Sequence, residues 1–150
     1  TGHLDKKIER DGQDGWLRIE TQLARAPRDR KKMAVVPEGG RNAVTHVCVL
    51  EAYEQYELVK CRLETGRTHQ IRVHLAYIGH PVLGDAAYGS AKNSFGLRGQ
   101  ALHAAELSVC HPRTGKVMHF YAQPPNSFLS GVKKLRATRR LPLISPSLGW

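Results

Sequence analysis

Three residues in the stretch CRLETGRTHQIRVHLAYIGHPVLGDAAYG, from Cys61 to Gly89, could together meet an anion: Arg67, His69 and Arg72. Two guanidinium groups and an imidazole fall where a Thr/Gly/Arg turn runs into the start of a helical pattern. The first backbone N–H groups of a helix have no partner within it and point outward. Cationic and imidazole side chains beside such donors suit an anionic ligand, with phosphate the first choice.

The elements that must hold these residues are readable on either side. From Thr68 the apolar residues Ile71, Leu75 and Ile78 fall at i, i+4 and i+7, with Thr68 as N-cap, Gly79 past the end and Pro81 beyond. That spacing predicts a helix of about ten residues. Upstream, Ala43 to Ala52 and Tyr56 to Leu63 are rich in Val, Thr, Tyr and Leu and read as two antiparallel strands joined by a tight loop. Met33 to Val36 is a short strand stopped by Pro37, and Trp16 to Leu23 alternates loosely before a basic loop from Ala24 to Lys32. Downstream, Gln100 to Cys110 and Lys116 to Ala122 form a second hairpin around PRTG, and Pro124 to Arg136 a last helix with Phe128, Val132 and Leu135 on one side. Residues 1–14 are polar and turn-rich, and residues 141–150, with two prolines and no period, are expected to fray. Two hairpins and two helices without internal repeats indicate an α+β fold, with a mixed, mainly antiparallel sheet and short flanking helices.

At 150 residues and 41% apolar content the chain is most simply one domain with a real core. Lys plus Arg number 23 against 13 Asp plus Glu, a net +10 that attracts polyanions, nucleic acid being the commonest. The charge lies in clusters (25–32, 62–72 and 133–140) instead of opposite an apolar helical face, and no apolar run approaches the roughly 18 residues of a spanning helix. No membrane partner is expected. Cys48, Cys61 and Cys110 are odd in number and hold no CxxC pair, which argues against a disulfide framework and a Cys-based zinc site. An intracellular, reducing compartment is expected, the cytoplasm first and an organelle second.

The central motif, the upstream KKMAV (Lys31–Val35) and AVTHV (Ala43–Val47), and the downstream GHPVLGDAAYG and QALHAAELSVCHPRTGKVMHFYAQPP closely resemble the C-terminal half of the catalytic domain of the RluA family of RNA pseudouridine synthases. The pieces stand in the family's order over most of residues 1–126, so residues 1–140 are expected to be that portion of the domain. The resemblance implies isomerisation of uridine to pseudouridine within RNA (rRNA or tRNA), with no cofactor and no metal. It implies that Arg72 pairs with the family's essential aspartate, keeping it ionised and oriented as a neighbouring guanidinium does. Arg67, Thr68 and His69 would then meet RNA phosphate or hold the loop, and Ile71 would pack against the target base or the family's tyrosine, which lies downstream of the aspartate. Arg28, Arg30, Lys31 and Lys32 would grip the flanking backbone, since an enzyme acting on a base must first take it out of its stack.

That aspartate belongs to an HRLD motif followed by a small-residue turn. His3-Leu4-Asp5 imitates it, but Asp5 lacks the Arg between His and Leu and is followed by Lys6-Lys7-Ile8. Asp5 also stands directly before segments that in the family come well after the catalytic residue, so it is rejected. With Thr1 in place of Met, the chain is expected to be cut from a longer reading frame. Alone it is expected to be inactive, and to self-associate or pair with the missing N-terminal half. The alternative is a non-catalytic RNA-binding module derived from a truncated synthase. A metal-dependent nuclease would need clustered carboxylates, which the sequence lacks. His69 and His74, at i and i+5, point about 140° apart on a helix, unlike paired metal ligands. His74 and His103 read as interior or hairpin histidines, Asp85 as a turn or cap residue, and Trp16, Tyr53, Tyr56 and Tyr88 as core first and stacking platforms second.

Overall fold

The computed structural model describes residues 8–11, 15–53, 55–93, 95–138 and 140–141. Their order is β1 (Ile8–Asp11), β2 (Trp16–Arg25), β3 (Met33–Val36), β4 (Arg41–Tyr53), β5 (Glu57–Leu63), α1 (Gln70–Tyr77), β6 (Glu106–Cys110), β7 (Val117–Tyr121), α2 (Asn126–Arg136) and β8 (Arg140–Leu141). The fold is α+β, and every strand pairing among these residues is antiparallel.

The main sheet runs β1-β2-β4-β5. β2 is long enough to take two short strands on one edge: β1 pairs with Trp16 to Ile19 and β3 with Gln22 to Arg25. Its other edge pairs with β4 from Arg41 to Cys48. β4 in turn takes β5, with a register shift between Val49 and Glu51, and then β8 at Ala52 and Tyr53. Both faces of β4 are buried from Ala43 to Val47, consistent with its Ala-Val-Thr-His-Val composition at the centre of a sheet.

α1 lies on this sheet. Ile71, Leu75 and Ile78, the stripe read from the sequence, pack with Ile19, Val47 and Val82, while Val73 joins Leu23 and Ala43. The helix ends as a Schellman motif, with His80 N–H donating to the Leu75 carbonyl and Gly79 N–H to that of Ala76. Gly79 takes φ +87 there, and a Cβ would meet nothing within 4 Å, so the need for glycine is conformational. A third cluster of Tyr53, Phe95 and Leu135 seats α2.

Three strands differ from the sequence reading, and one of them is β6, which begins at Glu106 and not at Gln100. The segment read as turn-rich contains β1, whose IERD sequence carries no alternating pattern and which is defined by backbone pairing with β2. Leu141, read as the start of a frayed tail, pairs with Ala52 in β8; residues 142–150 lie outside the described residues, as does Asp5. The hairpin β6–β7 forms a separate two-stranded sheet with every residue exposed.

Candidate active-site groove around Arg72

The turn before α1 is built by Gln70. Its side chain is buried, and its Oε1 accepts from Thr65 Oγ1 at 2.8 Å and from Arg67 N–H at 2.9 Å. Its Nε2 donates to the Val44 carbonyl and to Thr45 Oγ1, both at 3.0 Å. Thr65 Oγ1 also accepts from Val44 N–H at 2.9 Å, so the turn is stitched to the middle of β4. Thr68, expected as the N-cap, is exposed and caps nothing. The cap position belongs to His69, in the left-handed region at φ 56, with no side-chain capping bond. The reason is that the Gln70 amide reaches back to an N–H before the helix, much as the acidic or amide member of a capping box does.

One turn further along, Arg72 is closed on Asp85. Nε meets Oδ2 and Nη2 meets Oδ1, both at 2.7 Å, the two-pronged geometry that a guanidinium makes with a carboxylate. Asp85 is 0% exposed and Arg72 15%. The Asp85 carboxylate also accepts the N–H groups of Ala87 and Tyr88, so it is a turn residue and an ion-pair partner at once. The Arg72 guanidinium, opposed by burial and helped by those two N–H groups, holds the Asp85 carboxyl below the ordinary value of 3.8. The same contact raises Arg72 above its usual range. The loop is pinned by Gly84 at φ +74, where a Cβ would stand 2.3 Å from the Gly99 carbonyl oxygen. The resemblance implies an aspartate from elsewhere for Arg72; among the described residues its partner is Asp85, and Nη1 is the donor nitrogen left over.

Tyr88 completes the constellation. Its ring lies 5.0 Å from Arg72 Cζ, and its hydroxyl accepts from Met33 N–H at 2.8 Å and sits 2.9 Å from His69 Nδ1. Of these groups, His69 and Arg72 border an open groove of about 370 Å³, whose lining includes Leu63, Ile71 and Leu102 as apolar walls and Arg67 beside them as a polar one. That volume is within the ordinary range for a small-molecule or base-sized ligand. Arg67 is partly engaged, its Nε donating to the Asn42 carbonyl at 3.0 Å.

Of the residues singled out from the sequence, Arg67, His69, Ile71 and Arg72 therefore share one groove. Thr68, Arg30 and Lys32 do not line it. Arg30 and Lys32 stand on the β2–β3 loop, Arg30 exposed and Lys32 3.9 Å from Asp29, and that loop joins the groove side through Met33 and Tyr88. The ion pair also weakens the case for phosphate at Arg72, because Asp85 balances its charge. His74 is fully buried between Thr21 and Thr45, and burial lowers its pKa to about 4. His103 donates its Nε2–H to the Ala122 carbonyl at 2.9 Å. Gln70, Asp85 as a partner and Tyr88 as a polar hub were missed from sequence; the one signal for the last two was that GHPVLGDAAYG matched as a block.

Residues 1–77 match the family model described as RNA pseudouridylate synthase. The chain is 48% identical over 118 residues to the Bacillus subtilis (strain 168) protein named uncharacterized RNA pseudouridine synthase YlyB, covering 79% of this chain and 38% of that one. It is 46% identical over 130 residues to ribosomal large subunit pseudouridine synthase D of Neisseria meningitidis (strain Z2491), covering 79% of this chain and 34% of that one. The chain thus spans well under half the length of these relatives. Among solved structures, human RNA pseudouridylate synthase domain containing 4 superposes with a TM-score of 0.61 at 26% identity, over 81% of this chain and 57% of that one. The corresponding human domain containing 1 gives 0.60 at 24% identity, over 89% and 64%, a likeness of fold.

Proposed function

The chain belongs to the RluA family of RNA pseudouridine synthases, and we propose that it forms the part of such an enzyme that holds the Arg72 groove against a uridine of RNA. The observation that carries this reading is the buried Arg72–Asp85 pair opening on an apolar-walled groove. In the reaction the N1–C1′ glycosidic bond breaks, the base turns, C5 bonds to C1′, and the C5 hydrogen leaves as a proton while N1 gains one. Arg72, steadied by Asp85 beneath it and the Tyr88 ring beside it, directs its remaining Nη1 at the catalytic carboxylate. That carboxylate comes from an HRLD-type segment outside residues 1–150, Asp5 not being it. Leu63, Ile71 and Leu102 exclude water around the base, and no cofactor or metal takes part.

RNA is the partner, gripped outside the groove by the β2–β3 loop. The exposed faces of β6–β7, with Val117 63% and Tyr121 77% accessible, support pairing with the polypeptide that brings the carboxylate, or self-association in its absence. The free thiols Cys48, Cys61 and Cys110 support a reducing, intracellular setting. The family match does not favour the alternative of a non-catalytic RNA-binding module.

The test is release of tritium from uridine labelled at C5 in RNA. The 150-residue chain alone is expected to release none and to sediment as a concentration-dependent oligomer. Joined to an upstream segment bearing an HRLD-type motif, it is expected to turn over, and Arg72→Ala in that protein to lose at least a hundredfold, roughly the scale of one preorganised electrostatic contact. Turnover by the chain alone would refute the rejection of Asp5, and full activity of the Arg72→Ala protein would remove Arg72 from the site.

A further inference from the structure

The Tyr88 hydroxyl ties together β3, the start of α1 and the loop that carries Asp85. It accepts the N–H of Met33 at 2.8 Å and lies 2.9 Å from His69 Nδ1, with the two rings edge to face at 5.6 Å and 76°. A phenol has one proton to give. With Met33 N–H on one lone pair, the acceptor within reach of that proton among the described residues is His69 Nδ1. An Nδ1 that accepts belongs to a neutral imidazole carrying its proton on Nε2. His69 is also the one non-glycine residue with positive φ among the described residues, a strained conformation that its surroundings must hold. Nδ1 faces Tyr88, and Nε2, across the ring, makes no hydrogen bond with the described residues while His69 lines the groove.

We propose that Tyr88 is a positioning residue whose hydroxyl locks His69 as the Nε2–H tautomer, so that the groove offers a neutral N–H donor beside a guanidinium already balanced by Asp85. The inference rests on the uridine reading for its ligand. A neutral donor, a compensated Arg72 and apolar walls fit a carbonyl oxygen of a neutral planar ring such as uracil, while Arg67, whose guanidinium is bonded among the described residues to the Asn42 carbonyl alone, is the groove cation left for a phosphate.

The imidazole nitrogens of the isotope-labelled chain report the tautomer directly in a proton–nitrogen correlation spectrum at neutral pH, with His69→Gln assigning the signals by their loss. The expected pattern is an unprotonated, pyridine-like Nδ1 and a protonated Nε2. In Tyr88→Phe, which keeps the ring beside Arg72, both signals are expected to move toward the average of two exchanging tautomers. A protonated Nδ1 in the unsubstituted chain overturns the proposal without reference to any variant, as does a His69 pattern unchanged in Tyr88→Phe. The functional reading fails separately: the expected tautomer in an HRLD-joined protein inert toward every uridine-containing RNA supports the role of Tyr88 and sinks the uridine assignment. A protein that isomerises uridine with His69 protonated at Nδ1 does the reverse.

Discussion

Replacing Asp85 by asparagine keeps the shape of its turn but removes the charge to which Arg72 is fastened. Breaking a buried ion pair from one side costs about 3–5 kcal/mol, and the groove lets water reach part of the stranded guanidinium, so about 3 kcal/mol is expected for Asp85→Asn. Because the folded carboxyl titrates below its ordinary value of 3.8, its stabilising contribution is complete above that value and fades as pH falls through the lower folded one. Arg72→Ala removes the chief cause of the lowering, so that variant is expected to start less stable at neutral pH and to lose less of its stability as pH falls below 3.8. Urea midpoints followed from neutral pH to strong acid check both, and superimposable acid limbs would mean the pair does not set Asp85. At this scale Arg72 was legible because a motif match pointed to it. Its partner was not, since Asp85 lies 13 residues away across a loop without periodicity, where an Asp after Gly reads as a turn.

The central helix was legible through its apolar stripe and opaque through its polar one. A period of 3.6 places Ile71, Leu75 and Ile78 inside, but it also places Gln70 and His74 on the sheet side, where a polar residue is tolerated only if fully bonded. Thr45 Oγ1 accepts from Gln70 Nε2 and can donate to His74 Nδ1, and His74 Nε2–H then donates to Thr21 Oγ1 at 3.0 Å, a chain that requires a neutral imidazole. No single-residue propensity could reveal this, because the two threonines that permit it sit on different strands. Thr68→Ala is expected to change stability by no more than about 0.5 kcal/mol, whereas a true N-cap would be worth about 1. Gln70→Ala, which removes four hydrogen bonds, is expected to cost about 2 kcal/mol or more. Equal losses in thermal unfolding would return the cap to Thr68. His74 titrates near 4 when folded and near 6.5 when unfolded, so between those values the unfolded chain binds the extra proton and stability falls with falling pH. The full drop is about 3 kcal/mol from the size of the shift, and it is expected to be absent from His74→Gln, which starts less stable at neutral pH.

The whole molecule carries exposed charge on the β2–β3 loop as well as in its groove. Which segments become strands was readable from composition, apart from β1 and β8, but their order was not: β2 carries two partners on one edge, an arrangement fixed by backbone pairing instead of by any pattern in IERD or MAVV. That topology puts Arg28, Arg30 and Lys31 on the exposed β2–β3 loop, linked through Met33 and Tyr88 to His69, while Arg72 stands in the groove already compensated. A net charge of +10 makes RNA affinity salt-dependent through release of counterions, with each phosphate contact on a single strand contributing about 0.7 to the slope of log K against log salt. The triple variant Arg28→Ala, Arg30→Ala, Lys31→Ala is therefore expected to lower that slope by about 2 and to weaken binding evenly across sequences. Arg72→Ala is expected to leave the slope unchanged, because its charge is balanced by a buried carboxylate before RNA arrives. Filter-binding titrations of a single-stranded RNA at several salt concentrations distinguish the two. A slope that drops with Arg72→Ala and holds with the loop variant would move the phosphate into the groove and the base out of it.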